Sequence, residues 1–157
     1  MIQKSHNLKI AKTLALSTVL GLSLANGANA AEALTVNLQA KQVVTENGKP
    51  VLKAVSRANK GDLLQYQATY RNNLQKPMTN VALTIPVPAS MIYVNSSSPA
   101  PIQASLDGKK FENLPIMRKV NGKMVEVPAS QYRAVRWIVK TLPAQQSASV
   151  SISTKVQ

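Results

Sequence analysis

The chain of 157 residues has no cysteine, one histidine, six acidic residues and six aromatic ones. The first absence excludes a disulfide scaffold, thiol chemistry and zinc sites built on cysteine clusters. The shortage of acids stands against nineteen lysines and arginines, a formal charge of +13. Few aromatics and nine prolines argue against a helical bundle with an aromatic core, while a hydrophobic fraction of 45% argues against a disordered chain. At this length there is room for one core and not for two.

The start of the chain has a character of its own. Lys4, Lys9 and Lys12 occur with no acid among them, Thr13 to Ala25 is almost wholly apolar or small, and Ala28-Asn29-Ala30 follows. A basic start, a short apolar run and an A-x-A site predict a secretory signal peptide over residues 1–30. As a helix the apolar run would rise only about 20 Å, short of a hydrocarbon core of roughly 30 Å, so a retained membrane anchor is the poorer reading. With no cysteine to acylate, a lipoprotein anchor is excluded. The expectation is a periplasmic or extracellular protein beginning near Ala31, with no transmembrane anchor after cleavage. Removal of residues 1–30 takes three of the nineteen basic residues, no acid, and the single histidine, His6. Sixteen basic residues then face six acids, a formal +10.

From Leu34 onward, apolar residues recur at every second position. Leu34, Val36, Leu38 and Ala40 alternate with polar neighbours, as do Leu64, Tyr66, Ala68 and Tyr70. The pattern recurs at Val81, Leu83, Ile85 and Val87, at Val135, Trp137 and Val139, and at Ala148, Val150, Ile152, Thr154 and Val156. Five such runs, with no comparable 3.6-residue period, predict an all-β domain over residues 31–157. Asn47-Gly48, Asp107-Gly108 and Asn121-Gly122 are each the dipeptide favoured by a type I′ hairpin turn. Pro86, Pro88, Pro99, Pro101, Pro115 and Pro128 bound strands or mark edges. Spacing of about ten residues per strand points to a two-sheet sandwich, with a small closed barrel as the alternative.

Residues from about 96 to 131 are less regular and read as an excursion from the sandwich. Two hairpins are expected there, Ile102–Leu106 with Phe111–Leu114 and Ile116–Val120 with Met124–Val127.

The order Lys60-Gly61-Asp62-Leu63-Leu64-Gln65-Tyr66, Tyr70-Arg71-Asn72, Thr79-Asn80-Val81-Ala82-Leu83 and Ile85-Pro86-Val87-Pro88 resembles the bacterial surface-protein repeat family called domain of unknown function eleven. Ser105 to Phe111, Tyr132 to Trp137 and Leu142-Pro143-Ala144 also resemble segments of its exported single-domain members, so the likeness covers most of residues 34–156. Lys60 stands where the family has proline, and Ala144-Gln145 where it often has Pro-Gly or Ala-Gly, departures expected to loosen two turns. The resemblance implies an immunoglobulin-like sandwich at the cell surface or in the periplasm, and it implies no activity.

The chemistry on offer is sparse. Asp62 and Asp107 flank turn glycines and read as Asx-turn residues. Glu32, Glu46, Glu112 and Glu126 are scattered, so no acid pair for hydrolysis and no carboxylate cluster for a metal is apparent. No catalytic, cofactor or metal residue is assigned, and the chain is read as noncatalytic, a hydrolase being the remote alternative. Trp137, flanked by Val135 and Val139, reads as core, as do Tyr66 and Tyr70, while Tyr93 and Tyr132 are left open. Arg136 is expected to point away from the Trp137 face.

Basic residues are the one excess. Lys109, Lys110, Arg118, Lys119 and Lys123 fall within the excursion and are the candidate polyanion-binding residues, for lipopolysaccharide, anionic lipid or extracellular nucleic acid. No aromatics are interleaved for base stacking, so specific nucleic-acid recognition is not expected. The bland alternative is a basic face that maintains solubility and blocks unwanted strand pairing. The expected role is that of an envelope or surface module, structural or adhesive, whose partners are envelope proteins or anionic envelope polymers.

Overall fold

The computed structural model of this protein describes residues 32–55 and 57–157; the expected signal peptide and cleavage point lie outside the described residues. The strands are β1 (Leu34–Glu46), β2 (Lys49–Ala54), β3 (Leu63–Asn72), β4 (Met78–Pro86), β5 (Met91–Ser98), β6 (Gln103–Ser105), β7 (Glu112–Asn113), β8 (Met117–Val120), β9 (Lys123–Glu126), β10 (Ala134–Leu142) and β11 (Ser147–Val156). A 3-10 turn spans Ala129–Gln131. One sheet has the order β2-β1-β3-β11-β5 and the other β4-β10-β6-β7, while β8 and β9 form a ribbon of their own.

The protein is thus an all-β, immunoglobulin-like sandwich. Among the described residues no strand is shared between the two layers, so the closed-barrel alternative falls. The order in which the chain visits its places is its own. In immunoglobulin domains the strand that completes the centre of the first sheet comes from mid-chain. Here it is the last strand, β11, which pairs antiparallel with β3 over nine residues and with β5 on its other side.

Alternation in the sequence becomes alternation in burial. Along β3, Leu64, Tyr66, Ala68 and Tyr70 are buried while Leu63, Gln67 and Arg71 are exposed. Val81, Leu83, Ile85, Val135, Trp137, Val150 and Ile152 meet them in one core, and Val139 packs against it half-buried. The same core takes in Met91, Tyr93, Ala104, Ile116, Val127, Tyr132 and Leu142, which the period-two runs do not mark. Tyr93 and Tyr132, left open by the sequence, are both buried and stack with ring centroids 6.2 Å apart.

Two of the three expected type I′ turns form. Asn47 and Gly48 join β1 to β2, and Asn121 and Gly122 join β8 to β9, each with both central residues at positive φ. At Asp107-Gly108 only the glycine is at positive φ, so that turn is of another kind. The Asp107 carboxylate instead accepts the N–H groups of Lys109 and Lys110 and the hydroxyl of Ser105. An Asx-type turn satisfies three donors there, and a two-residue turn would leave them unmet. Pro50 and Pro86 lie in edge strands β2 and β4, where a missing ladder donor is tolerated.

Two side chains tie the layers at their ends. Asn72, fully buried, donates to the carbonyls of Lys76, Leu142 and Pro143 and accepts the N–H of Leu74. Gln145 sits at positive φ in the β10–β11 turn, a conformation glycine adopts more readily than other residues. Its amide donates to the carbonyls of Asn73 and Leu74. These bonds brace the turn.

Candidate functional site

The excursion is built as a buried neck carrying an exposed arm. Ile116 and Val127 flank the ribbon and are buried, and the Val127 N–H bonds the Ile116 carbonyl at 2.8 Å. Beneath them the Tyr132 hydroxyl donates to the Val127 carbonyl, and the ring stacks on Tyr93 of β5. Every residue of β8 and β9 beyond that neck is exposed. The expected hairpins of the excursion both form: β6 pairs with β7 and β8 with β9.

The five candidate basic residues are not placed alike. Lys109 and Lys110 sit in the turn between β6 and β7, held by the Asp107 carboxylate through their backbone N–H groups, which leaves both side chains exposed. Arg118 forms a two-pronged pair with Glu112, its Nη1 2.8 Å from Oε2 and its Nη2 bonding Oε1. The same pairing lowers the Glu112 pKa and raises that of Arg118. In the ribbon, Lys119 lies opposite Met124, and Val120 lies opposite Lys123. Side chains alternate along a strand, so Lys119 shares a face with Met117, Met124 and Glu126. Arg118 and Lys123 share the other face with Val120 and Val125. The ribbon brings Arg118, Lys119 and Lys123 onto one arm but not onto one face. The Arg118–Glu112 pair keeps the Lys109 and Lys110 turn close to that arm.

Arg136 points off the Trp137 face, as expected. Its guanidinium carbon lies 3.4 Å from the Phe111 ring centroid, and its Nε donates to Thr84 Oγ1 at 3.1 Å. Stacking of this kind is a favourable cation–π geometry, and it fastens the end of the β6–β7 turn to the sheet beneath. Trp137 is 4% exposed and its indole N–H donates to the Pro99 carbonyl at 2.8 Å, so it is core rather than a ligand platform.

The carboxylates are largely engaged in local structure. Asp62 accepts from the Asn59 N–H and from Gln42 Nε2, Asp107 closes its turn, Glu46 pairs with Lys53, and Glu112 pairs with Arg118. Among the described residues there is no group of three or more histidine, cysteine, aspartate or glutamate side chains arranged to hold a metal ion.

Two surface features went unread in the sequence. On the outer face of the five-stranded sheet, Val43, Leu52, Leu63 and Val94 line an open groove of about 410 Å³ together with Gln65 and Ser153. The doublets Val43-Val44 and Leu63-Leu64 are its sequence trace, since adjacent apolar residues in a strand must face opposite ways. On the ribbon, Met117, Val120, Met124 and Val125 are all exposed, Met124 by 61%. Neither strand of the ribbon has a buried face.

No protein-family model, curated protein or solved structure matches this chain.

Proposed function

We propose that this protein is an exported, noncatalytic module of the bacterial envelope or surface, structural or adhesive in role, and a relative of the repeat family it resembles. The observation that carries the reading is the use made of its carboxylates. Asp62, Asp107, Glu46 and Glu112, four of the six, are engaged in turns and ion pairs, and acid–base or nucleophilic catalysis wants such groups poised beside one another. The basic start, apolar run and A-x-A site of residues 1–30 support export. N-terminal sequencing of the protein from the periplasm or medium tests the address: a start within two residues of Ala31 is expected, and an intact Met1 there would refute export. Screening against glycoside, ester and peptide substrates tests the noncatalytic role, which an activity abolished by replacing one acid would overturn.

A second reading is polyanion binding by the excursion. Its support is that, of Lys109, Lys110, Arg118, Lys119 and Lys123, only Arg118 is ion-paired within the described residues. Replacing all five by Gln should then remove binding that weakens steeply with salt.

A further inference from the structure

We infer that the β8–β9 ribbon is a membrane-seating arm that lodges in the interfacial zone of an anionic phospholipid bilayer. This rests on the polyanion reading of the same excursion and names its ligand.

Three observations point to lipid rather than to a soluble polymer. First, the arm carries apolar side chains on both faces, Met117 and Met124 on one, Val120 and Val125 on the other, and all are exposed. A rigid partner surface covers one face of a ribbon, whereas the acyl and headgroup layer closes around both. Exposed apolar groups gathered at one projection mark an interaction site, and a highly charged polymer would leave these four unused. Second, cations accompany the apolar groups at the tip. Lys119 and Lys123 bracket the Asn121-Gly122 turn, while Glu126, the one acid of the ribbon, lies at its base beside the buried neck. Lysine stems can lie along apolar surface while their ammonium groups reach phosphate. Each cation near an anionic leaflet adds about fivefold to affinity. Third, the ribbon is anchored at its root by the buried Ile116 and Val127, and Arg118 bonds Glu112 of β7. An isolated two-stranded hairpin is marginal in water, so its exposed state depends on this anchorage.

Depth follows from the backbone. A two-stranded ribbon has two open edges whose N–H and C=O groups have no ladder partner, and such edges are not tolerated in hydrocarbon. Four residue pairs reach about 13 Å, so the arm lies at the headgroup boundary, with about 5–10 Å of apolar insertion, and does not span.

The test uses the protein as its host exports it. Binding is measured to vesicles of phosphatidylglycerol mixed with phosphatidylcholine, to phosphatidylcholine alone, and to heparin as a lipid-free polyanion. Expected is binding to the anionic vesicles and little to the neutral ones. The triple substitution Val120→Ser, Met124→Ser and Val125→Ser should weaken vesicle binding by at least about tenfold and leave heparin binding unchanged. Val120→Trp provides a second readout that does not depend on the triple variant keeping its ribbon folded: its fluorescence should shift to the blue on anionic vesicles and be quenched by brominated lipid. Vesicle binding that survives the triple substitution, or a Val120→Trp signal unmoved by bound vesicles, overturns the inference. Binding to heparin alone also overturns it while the polyanion reading stands. Binding to neither removes both.

Discussion

The Tyr70 phenol bonds the backbone of Thr84 in both directions, accepting its N–H at 2.9 Å and donating to its carbonyl at 2.5 Å. Tyr70 belongs to the first sheet and Thr84 to β4, an edge strand of the second. The N–H and C=O of one strand residue point the same way, and among the described residues β4 has only β10 beside it. The phenol therefore takes the place of a neighbouring strand at that point, joining the layers and closing part of an open edge.

Tyr66, two turns of the pleat away on the same face, is 1% exposed and its hydroxyl has no partner among the described residues. The two tyrosines should respond oppositely to loss of the hydroxyl. Tyr70→Phe leaves a donor and an acceptor of Thr84 unmet and should cost about 1–3 kcal/mol, whereas Tyr66→Phe removes an unsatisfied group and should be neutral or stabilising by up to about 1 kcal/mol. Urea denaturation of both variants decides this, and equal losses would show that the Thr84 bonds contribute nothing net.

Asn72 offers a second contrast. Its amide nitrogen serves three carbonyls from two separate loops, so Asn72→Ala should destabilise by about 2–4 kcal/mol. Asn72→Asp, nearly the same size, exchanges the donor for an acceptor facing those carbonyls and should be at least as damaging at neutral pH. An Asp variant as stable as the parent would mean that shape alone matters at this position.

Trp137→Ala should cost about 3–5 kcal/mol, because the ring is buried between the sheets and its indole N–H is bonded to Pro99. Thermal unfolding measures it. A loss under about 1 kcal/mol would be the size of an exposed substitution and incompatible with the observed packing.

Much of this fold is legible in the sequence because a half-buried strand imposes a period of two on its side chains. All five alternating runs became strands, and Trp137 and Tyr66 fell inside as their apolar neighbours required. Legibility ends where burial depends on distant parts of the chain. Tyr93 and Tyr132 are 39 residues apart by number, and nothing local announces that they stack. Ile116 and Val127 read like the apolar residues beyond them, yet only the neck is covered. Asp107-Gly108 has the composition of a two-residue hairpin turn, but the Ser105 hydroxyl and two further N–H groups compete for its carboxylate. For the candidate site, charge could be counted from the sequence, while the division of Lys119 and Lys123 between two faces needed the register.

All four tyrosines have pKa values raised above the ordinary 10.0, in each case chiefly by burial of the phenol. Burial favours the neutral form, so their contribution to stability is fully present below pH 10 and is lost as pH rises through the raised folded values. The expected alkaline titration shows little phenolate absorbance while the protein stays folded, then a rise that coincides with loss of near-ultraviolet circular dichroism. Tyrosines ionising at the ordinary pH in a still-folded protein would contradict the packing of these rings.

Asp107 sets the opposite limb. Its pKa is lowered from 3.8 to about 2, first by the Lys110 N–H, then by the Lys109 N–H and the Ser105 hydroxyl, all of which favour the charged carboxylate. The folded state thus holds its proton less tightly than the unfolded chain, and the stabilisation is present above the unfolded value and disappears as pH falls through about 2. Asp107→Asn keeps an oxygen for these donors but removes the charge, so the variant should be less stable than the parent at about pH 6, with the gap narrowing between about pH 4 and pH 2. Melting temperatures of the two proteins across that range measure it. A gap that stays constant with pH would mean that the turn depends on the shape of the side chain and not on its ionisation.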